Sequence, residues 1–296
     1  MDGDFSILIT TFNRLADLRY TLNSLESFLK DGVQIIICDD ASTDGTSAFI
    51  MEEYPEIQLL VNPVNKGLIY SRNRLLNLTD TLYAISLDDD AHFLSDEVLQ
   101  TAASHFKYNP KCAVIACKIY WGMQPPLHIR TEEETERVQS FVGCGHIWKM
   151  EAWRNIPNYP EWFVFYGEEE FASFQLFKKG WEVDFLPSIV VHHRVEVKNR
   201  KNNKDYHKRL RQSLRSGWYI YVLFYPWREI PRRFAYTLWV QLKLKVFKGD
   251  LKAAIAITKA VVDVVLNFPK LLRNSSRLNM SEFKDFRNLP ESKIYS

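Results

Sequence analysis

Cysteine is scarce in this chain, and its four copies are not arranged for cross-linking or zinc. Cys38, Cys112, Cys117 and Cys144 include no C-x-x-C pair, and Cys38 and Cys112 sit beside apolar, strand-like runs. Reduced core thiols are therefore expected. No stretch holds the roughly 18 uninterrupted apolar residues that a membrane-spanning helix needs, so none is expected. The opening MDGDFSILIT has neither a basic segment nor a long apolar run before Thr10, Thr11 and Asn13. It reads as a first strand, not a signal peptide, and a cytoplasmic location follows. The chain also has no internal repeat, no low-complexity tract and no glycine-rich basic loop after its first apolar run.

What is present is ordinary in bulk and uneven in charge. With 46% hydrophobic and 25% charged residues over 296 positions, the chain suits one large domain, or one domain with an appendage. The net charge of +2 hides a separation: residues 1–193 carry 15 basic against 28 acidic residues, a net −13, and residues 194–296 carry 23 against 8, a net +15. An acidic body with a basic tail points to an anionic partner for the tail. Nucleic acid and an anionic membrane surface are the two candidates. No nucleic-acid-binding motif accompanies the basic residues, and Trp218, Tyr219, Tyr221, Tyr225, Trp227 and Trp239 are interface-seeking aromatics, so the membrane is expected.

Apolar runs at 5–10, 34–38, 57–61 and 83–87 read as strands, with helical spacing between them at 15–29, 46–54 and from Gly67 onward. Strands alternating with helices indicate crossover units and an α/β fold with a mostly parallel sheet. Further strands are expected at 112–120, 141–149, 181–185 and 189–191, helices at 97–108 and 168–179, and a loop over the site at 121–137. Gly143 and Gly145 would let the backbone approach something closely. The basic hinge from Arg200 to Lys204 divides residues 1–200 from a helical region at 201–296, with helices at 206–224, 231–247 and 251–268.

The chemistry concentrates in YAISLDDDAHF, residues 83–93. Asp88, Asp89 and Asp90 follow a buried strand, at the sheet edge where open α/β folds bind ligands. Three adjacent carboxylates repel one another unless a cation or several donors neutralise them. Mg²⁺ or Mn²⁺ shared with substrate phosphates suits such a set, whereas a solvated acidic turn is the bland alternative for an isolated triplet.

SILITTFNR, IICDDASTDGT, NKGLIYSRN, ISLDDD, FVGCGHIWKMEAW and GEEEF followed by VVHH occur in that order, and together they resemble the inverting glycosyltransferases of family 2 over roughly residues 4–195. The resemblance implies a GT-A fold, a nucleotide-sugar donor and a divalent metal. It assigns Thr11, Asn13, Asp40, Ser42 and Asp44 to the nucleoside, with Asp40 on the base; an Asx-type turn is the alternative for Asp44. Asn65, Gly67, Arg72 and Asn73 match an Asn-x-Gly…Arg-Asn motif, in which Arg72 pairs with phosphate or with one of the aspartates. Asp88 and Asp90 fall on the D-x-D motif, Asp88 nearer the ribose and Asp90 on the metal, with Asp89 an alternative ligand. His192 and His193 follow the strand that leads to metal or phosphate, His192 being the nominated ligand. Glu169, ahead of Glu168 and Glu170, is the expected base that takes the acceptor's proton; helix-dipole compensation would account for the other glutamates. Trp121, Trp148, Trp153, Trp162 and Trp181 are either sugar platforms or core. The acceptor implied is a glycan or lipid-linked hydroxyl at the inner face of the cell membrane. A non-catalytic nucleotide-binding or membrane-anchored scaffold of the same fold is the rival, and a nucleotidyltransferase is disfavoured by the missing glycine-rich loop.

Overall fold

The computed structural model describes residues 2–129, 132–196, 203–293 and 295. The first half alternates as the spacing predicts. It runs β1 (Phe5–Thr11), α1 (Leu15–Ser24), α2 (Glu26–Lys30), β2 (Gln34–Asp39), α3 (Thr46–Glu53), β3 (Gln58–Val61), α4 (Leu68–Leu78) and β4 (Tyr83–Asp88). Then come β5 (Ala91–Phe93), α5 (Val98–Tyr108), β6 (Cys112–Trp121), β7 (Glu136–Arg137), β8 (Gly145–Lys149), α6 (Met150–Arg154), α7 (Glu168–Lys178) and β9 (Glu182–His193). The last part is helical: α8 (Tyr206–Phe224), α9 (Ile230–Leu244), α10 (Leu251–Arg273) and α11 (Met280–Asn288).

One sheet takes these strands in the order β3-β2-β1-β4-β8-β6-β9-β5, with β7 on β9. The crossover half is parallel, Ile7 pairing with Ile35 on one side and Ile85 on the other. The second half is mixed, because β8 enters antiparallel between β4 and β6 while β6 and β9 run parallel. The sheet is therefore less uniformly parallel than crossover spacing alone implies. Pro187, which separates the two expected strands, lies inside one long β9. The ladder passes from Cys117–Leu186 to Lys118–Val190, so a bulge absorbs the proline that cannot donate to a neighbour.

Two hydrophobic layers cover the sheet, as period-two alternation requires. Ile7, Ile9, Ile35 and Ile37 face Leu18 and Leu22 of α1 and Phe106 of α5. Leu8 and Ile36 face the other way, into a larger core that holds Ile69 and Leu75 of α4, Phe171 and Phe174 of α7, and residues of α8, α10 and α11. The C-terminal helices thus share the core of the sheet. Phe174 lies between Phe224 of α8, 4.9 Å away, and Phe286 of α11, at 4.2 Å. The expected boundary at Arg200 and Lys201 lies outside the described residues. Helix α10 continues past the expected stop at Pro269 because residue 269 and its partner Val265 are both exposed, so water can satisfy the freed carbonyl.

Trp218, Tyr219 and Tyr225 are buried in this core, and Arg215 is buried too. These residues were expected to face a membrane; they face the protein instead, since α8 packs between the sheet layer and α10. Among the described residues no helix is long and apolar enough to cross a membrane.

A shared core predicts a shared transition. Phe174→Ala should cost about 3–5 kcal/mol and lower one unfolding midpoint seen alike by far-ultraviolet dichroism and tryptophan fluorescence. A separate, unshifted transition for the C-terminal helices would contradict the shared core.

Candidate active site

The carboxyl ends of β1, β2, β4 and β9 converge, and a buried arginine connects what they carry. Arg72, on the inner face of α4, is 4% exposed. Its Nη2 donates to Asp88 Oδ1 at 2.7 Å and to the Gly143 carbonyl at 2.9 Å, and its Nη1 donates to Glu168 Oε1 at 2.9 Å. Glu169 Oε1 stands 3.6 Å from Nη1. Of the two partners left open for Arg72, the structure provides the aspartate. Burial opposes its charge, and Asp88, Glu168 and Glu169 more than restore it, so the guanidinium stays ionised.

Asp89 and Asp90 form a second group in the turn after β4. Asp90 is 1% exposed, with Arg14 Nη2 at 2.8 Å and His193 Nε2 at 3.0 Å, yet neither of its oxygens accepts a well-directed hydrogen bond. Burial drives the Asp89 carboxyl up to about 8; Arg14 opposes that rise, and the flanking aspartates add to it. Asp88, Asp90 and His193 place ligand atoms within 4.8 Å of one another. Two carboxylates and an imidazole around under-bonded oxygens fit a hard divalent cation of the Mn²⁺ or Mg²⁺ kind. The nominated His192 does not join them. Its Nε2 is tied to the Gly122 carbonyl at 2.8 Å, because strand alternation turns only one of two adjacent histidines toward Asp90. Arg14, His193 and Arg194 complete the group. Arg194 Nη1 donates to His92 Nδ1 at 2.6 Å, while burial and then the Arg194 charge press His92 down to about 4. Sequence reasoning left Arg14 unassigned although it follows Asn13 in the quoted motif; a cation one turn beyond the strand end was the available signal.

The residues expected on the nucleoside clasp one another. The backbone N–H of Asn13 donates to Ser42 Oγ at 2.8 Å, and Asn13 Oδ1 accepts from Thr43 N at 2.7 Å. Asp44 accepts from Leu15 N and Thr46 N, the first residues of α1 and α3, and its bond to Thr46 N makes an Asx-type turn. Thr11 is buried at the end of β1. Asp40, expected on a base, is taken up inside the protein: Asn62 Nδ2, Lys66 N and Gly67 N each donate to it at 2.7 Å. It shapes the turn in which Gly67 adopts φ +92° and Asn65 stands exposed. Asn73, expected on the donor, instead pairs its amide with the backbone of Tyr159, giving at 2.9 Å and accepting at 3.0 Å. A buried amide one residue past Arg72 faces the core, where a backbone segment satisfies it.

That segment leads through Val164 and Tyr166, both at positive φ, to Gly167 and the glutamates. A β-branched residue at φ +68° is strained, and it aims the start of α7 at the site. Glu168 is 2% exposed and bound by Arg72, Glu169 is half-buried beside it, and Glu170 is exposed. Burial and then the neighbouring Glu168 push Glu169 up to about 8, against the pull of Arg72. The close approach expected at Gly143 is real: a Cβ there would lie 2.1 Å from Glu169 Oε1 and 2.8 Å from Arg72 Nη1. Gly145 meets Val191 and Ile119 in the same way. Trp148 and Trp153 are core, while Trp121 packs its ring 4.4 Å from that of His193 at the edge of the site.

Comparison with known proteins bears on the family and the fold. The family model described as Glycosyl transferase family 2 matches residues 6–171, and the chain belongs to that family. An uncharacterized glycosyltransferase of Haemophilus influenzae is 28% identical over 137 residues, 43% of this chain and 46% of the relative. The uncharacterized glycosyltransferase YibD of Escherichia coli K12 is 30% identical over 103 residues, 33% of this chain and 30% of the relative. The chain thus spans less than half the length of both. Among solved structures, GalNAc-T7 with UDP, GalNAc and Mn²⁺ superposes with TM-score 0.61 at 14% identity, covering 90% of this chain and 57% of that one. Staphylococcus aureus TarS 1–349 with UDP-GlcNAc gives 0.57 at 17% identity, over 88% and 81%. The mannosyltransferase PcManGT of Pyrobaculum calidifontis with GDP-Man and Mn²⁺ gives 0.56 at 14%, over 96% and 83%. At these identities the likeness concerns the fold, which is GT-A.

Two glycines separate tight packing from open space. Gly143→Ala should cost about 1–3 kcal/mol, since the new methyl must displace a buried ion pair. Gly217→Ala, inside α8 with nothing within 4 Å, should gain about 0.5–1 kcal/mol. Urea denaturation of both variants reads the difference.

Proposed function

We propose that this chain is a metal-dependent inverting glycosyltransferase, moving a sugar from a nucleotide-sugar donor to a hydroxyl of a glycan or lipid-linked acceptor. The observation that carries the reading is Arg72, which joins the carboxylate that ends β4 to the glutamates that open α7. One sheet edge thereby holds a cation-binding set and a candidate base. A binding-only scaffold gains nothing from a strained loop that brings a second acidic group to the first. GalNAc-T7 and PcManGT, solved with Mn²⁺ beside a nucleotide or nucleotide-sugar, support a donor of this chemistry.

In this reading Asp88, Asp90 and His193 hold Mn²⁺ or Mg²⁺, which when bound offsets the charge that develops on the departing diphosphate. The clasped loops of Asn13, Ser42 and Asp44 form the rim against which the nucleoside rests. Glu169 takes the proton of the acceptor hydroxyl while that oxygen bonds to the anomeric carbon. The bond to the diphosphate breaks on the opposite face and its electron pair leaves with the diphosphate, inverting the centre. Arg72 opposes the rise that burial imposes on Glu168 and holds Glu169 beside it. Glu170, exposed, plays no part.

Asp90→Asn should abolish the Mn²⁺-dependent thermal shift given by nucleoside diphosphates and cut turnover at least about 100-fold, with the protein still folded but melting lower, since Arg14 and His193 lose their buried partner. Full activity in excess chelator would exclude the metal.

Because a base must be ionised and Glu169 is raised to about 8 without ligands, kcat/KM should keep climbing through neutral pH instead of levelling near pH 5. The Glu169→Gln variant should bind donor normally, lose about 10²–10⁴ in rate and lose that limb. A wild-type profile flat above pH 6 would remove Glu169 from the role.

A further inference from the structure

Helix α10 is apolar on two opposite sides. Ala253, Ala256, Ile257, Ala260 and Val264 are buried toward α8. On the far side Leu251, Ile255, Val262 and Leu266 are 74%, 56%, 47% and 73% exposed. A helix apolar all round is ordinarily covered all round, yet among the described residues nothing covers this outer side. Helix α9 extends it across the short link at Val246–Lys248: Tyr236, Trp239 and Phe247 are exposed, the last two with rings 5.8 Å apart.

The charge on this face has one sign. From Glu229 to Met280 the sequence holds 10 Lys and Arg against one Glu and 2 Asp. All three acids are engaged within the protein, Glu229 by Arg233 at 3.7 Å and Arg232 at 3.8 Å, Asp250 by His207 at 3.0 Å and by the N–H of Ala253, Asp263 by Arg211 at 2.6 Å. Lys243, Lys248, Lys252 and Lys259 stand exposed, and among the described residues no carboxylate pairs with them.

We propose that the outer face of α9 and α10 docks on an anionic lipid bilayer, with the aliphatic and aromatic side chains at headgroup depth and the lysines on lipid phosphates. A second copy fits poorly, since a twofold contact would set these cations against themselves, the acids there being already paired within the protein. Helix α8 connects the face to the site: Arg215 donates to the Phe163 carbonyl, and Ser216 Oγ donates to that of Phe165 at 3.1 Å, just before the glutamates. Docking therefore holds the base at a set height above the membrane. That consequence, a lipid-linked acceptor, rests on the transferase reading; docking itself does not.

The full chain, without donor or metal, is sedimented with vesicles of phosphatidylcholine alone or mixed with phosphatidylglycerol, at low and high salt. Binding is expected only to the mixed vesicles and should fall with salt. Lys252→Gln and Lys259→Gln should each weaken it roughly fivefold, equivalent to about 1 kcal/mol per lysine. Val262→Asp with Leu266→Asp should abolish it while leaving the melting temperature unchanged, both side chains being exposed. Equal binding to neutral vesicles, indifference to salt, no sedimentation, or unchanged binding by the aspartate variant would each overturn the proposal. So would self-association that the aspartate variant abolishes without vesicle binding. Sedimentation requires no turnover, so its failure would leave the transferase reading standing, and loss of that reading would leave docking standing.

Discussion

The site depends on one buried cation. Arg72 could not remain charged in the interior without carboxylates at hydrogen-bond distance, and Glu168 could not remain buried without it, while half-buried Asp88 supplies the second carboxylate. The requirement is mutual, so it fixes relative positions. Helix α4, the end of β4, the loop before β8 and the start of α7 meet because each brings a group to the same guanidinium. Gly143 contributes by having no side chain, which lets its carbonyl accept from Arg72 where a methyl would strike Glu169.

Around that centre the charges divide into two sets with different chemistry. Asp88, Asp90 and His193 bring carboxylate oxygens and an imidazole nitrogen within 4.8 Å of one another. Glu168 and Glu169 repel each other and lie deep enough for burial to raise both. Arg14 neutralises the aspartate side, and the strained turn at Val164 and Tyr166 delivers the glutamate side. The chain belongs to glycosyl transferase family 2, and the two-set arrangement is what its own side chains add to that membership.

The C-terminal helices are part of the same body. α8 and α11 complete the core around Phe174, and this explains why their aromatic residues turn inward. The basic, apolar surface that remains belongs to α9 and α10. Bulk charge in the sequence identified the half of the chain; packing selected the face.

The sequence by itself determined the strand and helix order, because alternating and 3.6-residue patterns reflect burial that is local along the chain. It also determined the acidic triplet at a strand end and the glutamate run at a helix start, since residue type and position there are one-dimensional facts. Tertiary structure alone decided which of two adjacent histidines faces Asp90, because that depends on the pairing of β9 with β5. It decided that Asp40 holds a turn and Asn73 a backbone segment, because their partners lie 22 and 86 residues away. It inserted β8 antiparallel, brought Arg14 to the aspartates and set Arg72 between carboxylates 16 and 96 residues distant. Spacing along a chain records what must be buried, whereas the partner that satisfies a buried charge is chosen only when distant segments meet.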